Sequence, residues 1–91
     1  MEVPLEQQMN EIMSQPGVTG VLCTDKQGLA LASQGNLKPE VAGLVAGLAS
    51  KATKLRHGTG ADDIPVVSVE SDAGNLLIRS HGNSTLAIHK V

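Results

Sequence analysis

Along the chain the spacing of apolar positions alternates between a helical and a strand period. Residues 4–14, PLEQQMNEIMS, place Leu5, Met9, Ile12 and Met13 at i, i+4, i+7 and i+8, on one face of a helix. Pro4 suits a first helical turn and Pro16-Gly17 ends the helix. The runs VTGVLCT and LALAS, separated by DKQG, predict two strands around an Asp-x-x-Gly turn. Pro39 opens a second helix, which runs to about Arg56 and is closed by His57-Gly58. Lys51, Lys54 and Arg56 lie near its C-terminal end, where the helix dipole favours cations. Segment 57–63, HGTGADD, reads as a loop. IPVVSVES, LLIRSH and STLAIHKV then predict three strands, joined by DAGN and by a two-residue hairpin turn at Gly82-Asn83. The order helix, two strands, helix, three strands predicts an α+β fold on one mainly antiparallel sheet, a single domain over residues 1–91.

The second helix is the unusual element. At 100° per residue, Val41, Leu44, Val45, Leu48, Ala52 and Leu55 fall within a sector of about 100°, the width of a buried stripe, and are expected on the sheet. Ala42, Ala46 and Ala49 occupy one flank; Gly43, Gly47 and Ser50 occupy the far side. A solvated face ordinarily carries Glu, Lys or Gln. Each interior glycine costs about 1 kcal/mol relative to alanine, and small residues four apart let another backbone approach closely. Lys38, Glu40, Lys51 and Lys54 leave no membrane span, which excludes a bilayer helix-pairing motif. The plain alternative is an alanine-rich surface that is merely tolerated. The reading adopted is a helix dry on two sides, with Ala42, Gly43, Ala46, Gly47 and Ser50 meeting a second subunit.

The third strand points the same way. IPVVSVE is β-branched on both faces and Pro65 is compatible with an edge position. An uncovered apolar edge is an aggregation hazard, which pairing with another chain removes. Val66, Val67, Ser68, Val69 and Glu70 are therefore expected to extend the sheet into the partner.

Composition narrows the function classes. With 41% hydrophobic and 18% charged residues and a net charge of −2, the chain reads as folded and soluble rather than disordered. Its seven Lys and Arg are scattered, so no nucleic-acid partner is expected. Phe, Tyr and Trp are absent, leaving aliphatic residues and Met to form the core. A domain of this size buries only about 60–65% of its unfolded-chain surface, which favours association. His57, His81 and His89 are not at zinc-ligand spacing. Cys23, inside a predicted strand, reads as a small core hydrophobe. Asp62-Asp63 and Glu70-Asp72 fall at loop and turn positions, where Asp satisfies backbone groups. Gly58-Thr59-Gly60 lacks the further glycine of a dinucleotide loop, and no Gly-Lys-Ser/Thr is present. No enzyme activity, catalytic residue, metal or cofactor is expected. Asn83-Ser84-Thr85 matches a glycosylation sequon without a secretory signal to accompany it. No apolar run approaches the ~20 residues of a bilayer span, so a cytoplasmic location is expected, with any membrane address supplied by a partner.

Four segments, GVLCTDKQGLAL (20–31), AGLVAGLASKATKL (42–55), DIPVVSVESDAGNLLI (63–78) and AIHK (87–90), carry a likeness over nearly the whole chain. They resemble the roadblock/LC7-domain family and, within it, the short Ragulator subunits. The longer roadblock pattern adds a C-terminal helix; here Val91 follows the fifth strand, as in the short subunits. The resemblance implies a five-stranded antiparallel sheet with helices on its faces, in the order α-β-β-α-β-β-β. It implies dimerisation through the second helix and third strand, giving a sheet continuous across both subunits. It further implies a non-catalytic scaffold: a heterodimer with another small roadblock subunit, or a homodimer in isolation, gathered by a lipidated Ragulator subunit. That assembly would sit on the cytosolic face of late endosomes and lysosomes, recruit Rag GTPases and support amino-acid signalling to mTORC1. Binding of a viral X protein and of survivin is also implied, and no motif assigns residues to either. The alternatives are a stand-alone roadblock homodimer regulating a small GTPase or motor, and a small-molecule sensor using loop 57–63 with Asp62, Asp63 and His81.

Overall fold

The computed structural model of the chain describes residues 4–55 and 66–91, apart from the side chains of Leu55 and His81. The loop expected at 57–63, with His57, Asp62 and Asp63, and the proline expected at the β3 edge, Pro65, lie outside the described residues. The elements are α1 (Leu5–Met13), β1 (Val18–Asp25), β2 (Ala30–Gly35), a 3₁₀ turn (Pro39–Val41), α2 (Ala42–Leu55), β3 (Val66–Ser71), β4 (Gly74–His81) and β5 (Ser84–Lys90). The strands form one sheet in the order β2-β1-β5-β4-β3, every neighbouring pair antiparallel. A hairpin and a three-strand meander thus join through β1 and β5, from Val18 opposite Lys90 to Asp25 opposite Ser84.

Strand alternation distributes two cores over two faces. On one face Leu22, Ile78 and Ala87 pack with Leu37, Ala42, Val45 and Ala49. On the other, Val21 and Cys23 pack with Met9, bordered by Ile12, Met13, Ala32, Leu86 and Ile88. Residues 20–24 of β1 are all buried because a helix covers each face of that strand. Met9 is the one buried residue of α1, at 1% exposure. Truncating a buried Met to Ala costs about 2–5 kcal/mol, so this side chain is the main anchor of the helix.

Two turns follow from their residues. Asp25 Oδ1 accepts the backbone N–H groups of Gln27 and Leu29, both at 2.9 Å, which fixes the β1–β2 connection. Gly28 there has φ +90°, and a Cβ on it would lie 3.1 Å from Gly43 Cα. The turn therefore rests directly on the first turn of α2, and the absence of a side chain permits that approach. Gly82, at φ 60°, takes the first central position of the two-residue β4–β5 connection between His81 and Ser84. In β2 the register shifts between Cys23 and Thr24, whose partners are Ala32 and Ala30, so Leu31 bulges out of the pairing.

The phase of α2 differs from expectation. Ala42 and Val45 (each 1% exposed) and Ala49 (5%) face the sheet, whereas Leu44 is 65% exposed. Leu44 therefore leaves the sheet-facing stripe. Ala42 and Ala46, expected to meet a partner, are covered by their own chain. A stripe of methyl groups lets the helix backbone sit closer to the sheet than leucines would, and Leu44 is displaced to the flank.

Candidate partner interface

Three of the small residues singled out on α2 do face outward. A Cβ added at Gly43 or Gly47 would meet nothing within 4 Å, and Ser50 is exposed. At 100° per residue these three share one side with Lys54, and Leu44 stands next to them. Gly43 has an internal use, since it receives the Gly28 turn; Gly47 has none. A glycine inside a helix is thus kept at a cost of about 1 kcal/mol where no part of the described chain needs the space.

α2 crosses the sheet as far as β3, where Val67 and Leu76 pack at the margin of the core. β3 is an edge: β4 pairs one side of it, and no described strand pairs the other. Its free side presents a row of backbone donors and acceptors. Val66 and Val69 are 56% and 44% exposed, Ser68 and Glu70 are exposed, and Val67 is half-buried toward α2. Outward α2 and the bare β3 edge are consequently adjacent. Leu44 belongs to this surface and was missed. Its signal was available: a leucine between Gly43 and Val45 fits an interface phase as well as a core phase.

Of the residues considered for chemistry, Cys23 and His89 are engaged structurally. Cys23 is buried, and burial pushes its thiol up, away from the thiolate a nucleophile needs. A hydrogen bond from the Ser84 hydroxyl offsets part of that shift. His89 is half-buried; its Nδ1 meets the Thr19 hydroxyl and lies 3.2 Å from Asn36 Nδ2, which also donates to Thr19 Oγ1 at 3.1 Å. This cluster ties β1, β5 and the end of β2 together. At the β3–β4 turn the Ser71 hydroxyl accepts from the Ala73 N–H and donates to the Gly74 carbonyl. Among the described residues no three His, Cys, Asp or Glu side chains gather as metal ligands, and no helix is long and apolar enough to cross a membrane.

Comparison with known proteins agrees with the architecture. A family model described as Ragulator complex protein LAMTOR5 matches residues 1–90. A Ragulator complex protein LAMTOR5 homolog from Nematostella vectensis is 47% identical over 91 residues, covering 100% of this chain and 98% of that protein. The Ragulator complex protein LAMTOR5 of Xenopus laevis is 45% identical with the same coverage. Among solved structures, the roadblock/LC7 domain from Streptomyces avermitilis matches with a TM-score of 0.80 and 23% identity, over 97% of this chain and 78% of that one. The gliding protein MglB from Thermus thermophilus matches with a TM-score of 0.75 and 19% identity, over 93% of this chain and 70% of that one. At such identities the structural likeness is one of fold. The fold is that of a roadblock/LC7 domain, and the chain belongs to the Ragulator complex protein LAMTOR5 family.

Proposed function

We propose that this chain is a non-catalytic scaffold subunit of a Ragulator-like complex, pairing with a second small roadblock subunit through the outward side of α2 and the edge of β3. The observation that carries the reading is Gly47, where a Cβ would meet no described atom within 4 Å, beside an exposed Leu44 and a strand edge that no described strand pairs. Burying Leu44, Val66 and Val69 against a partner removes apolar area from water at roughly 25 cal/mol per Å², and closing the edge pairs its backbone groups. Family membership supports the wider assignment. In it, the pair joins a lipidated subunit at the cytosolic face of late endosomes and lysosomes, where the complex recruits Rag GTPases and supports amino-acid signalling to mTORC1. The chain's part there is to present surfaces, and a lipidated partner supplies the membrane address.

Gly47→Leu tests the interface. A Cβ at this position meets no described atom within 4 Å, so the variant is expected to keep its far-UV circular dichroism and to sediment as a monomer beside its partner. Interference optics suit a chain with no Phe, Tyr or Trp. Unchanged co-sedimentation would remove α2 from the interface. Co-expression with candidate roadblock subunits separates the heterodimer from the stand-alone homodimer, which predicts a preference for self.

A further inference from the structure

Formal charge on the outward side of α2 is confined to its two ends. Glu40 lies in the 3₁₀ turn that leads into the helix, three residues before Gly43 and so on the same side. Lys51 and Lys54 lie toward the C-terminal end, about 80° and 20° around the helix from Gly43. All three are exposed, and no described residue holds any of them in a hydrogen bond or ion pair. Residues 41–50, between them, carry no charge. Two nearby charges are placed elsewhere. Lys38 precedes the turn in extended backbone, at φ −88° and ψ 156°, and so stands off the helix. Glu70 is three positions along β3 from Val67, which packs toward α2, and alternates to the opposite face of the sheet.

An acid at the N-terminal end and two bases at the C-terminal end also suit the dipole of α2 itself. On the side that meets a partner they do more, because like charges brought together there oppose docking and opposite charges fix its direction. A parallel neighbour of the same pattern would set acid beside acid and base beside base. An antiparallel one sets opposite charges together at both ends. Glu40 and Lys54 stand seven residues either side of Gly47, the position where a Cβ would meet no described atom within 4 Å. A two-fold axis passing beside Gly47 therefore brings position 40 of each helix opposite position 54 of the other, with Lys51 one turn away, and every such contact occurs twice. The same axis runs β3 antiparallel to its copy, the sense in which every neighbouring pair of this sheet already runs. Resting on the α2–β3 interface proposed above, we infer that this surface is self-complementary: without another roadblock subunit it docks antiparallel on a second copy of this chain, Glu40 of each copy facing Lys51 and Lys54 of the other.

The test is sedimentation of the full-length chain over a concentration series, with Glu40→Lys and with the double variant Lys51→Glu, Lys54→Glu. The three positions are exposed, so far-UV circular dichroism is expected to be unchanged. Each variant alone places like charges at both ends of the pair, and self-association at least about tenfold weaker than in the native chain is expected. An equimolar mixture of the two restores opposite charges at both ends and is expected to recover the native affinity, less so in 1 M sodium chloride. Loss of dipole compensation alone would weaken the variants without any recovery on mixing. A native chain that stays monomeric, variants that associate as the native chain does, or a mixture no tighter than its components overturns the inference. Gly47→Leu keeps the two readings apart. If it splits the native pair while the charge variants do not, only this inference fails; if it leaves the pair intact, the α2 interface itself fails.

Discussion

Cys23 and His89 show how neighbours decide what a reactive side chain does. Burial between α1 and the sheet raises the Cys23 pKa above the ordinary thiol value of about 8.5. Below that pH both folded and unfolded thiols are protonated, and the contribution to stability is fully present. Above it the unfolded thiol loses its proton while the folded one keeps it. The unfolded state then binds fewer protons, and stability falls as pH rises. Denaturant midpoints followed by far-UV circular dichroism are therefore expected to drop more steeply between about pH 8 and pH 10 in the native chain than in Cys23→Ala. Parallel curves would show that the thiol does not contribute. The burial of Cys23 was legible from its place between Leu22 and Thr24 in an apolar run. The His89 cluster was not, because Thr19 and Asn36 are 70 and 53 residues away along the chain. Only the β1–β5 pairing brings the first of them alongside.

At the level of elements, α2 combines what sequence reveals with what it conceals. Its span and its small-residue side follow from helical spacing and composition. Its rotation does not, because a leucine-centred and an alanine-centred stripe are both apolar and differ only in phase. Packing settles the phase by how closely each stripe lets the helix approach the sheet. One consequence is measurable in the isolated chain. Gly47→Ala adds a methyl that meets nothing within 4 Å, so it is expected to stabilise the free chain by up to about 1 kcal/mol through helix propensity. A rise in denaturant midpoint checks this. A fall would mean that some part of the chain already occupies that space.

On the scale of the whole molecule, the sheet has two edges, β2 and β3, and the proposed assembly uses one. The two are protected differently. β2 carries the bulge at Leu31, which interrupts its regular register, whereas β3 pairs with β4 residue for residue from Val66 to Ser71. Amide hydrogen exchange with and without a partner subunit is expected to slow along β3 and leave β2 unchanged. Slowing on β2 instead would place the partner on the wrong side of the sheet. This measurement reads strand pairing, and so complements the Gly47→Leu experiment, which reads helix packing.

From the residues alone came the sequence of elements, the Asp25–Gly28 turn, the buried cysteine, and the two segments that look too dry for solvent. These are local matters, set by apolar period, backbone φ preferences and side-chain size within a few residues of each other. Only the folded arrangement decided which strands neighbour each other and which side of α2 faces the sheet. Each of those depends on contacts between segments distant along the chain, chosen by close packing of two helices on opposite faces of one sheet, which no local pattern records.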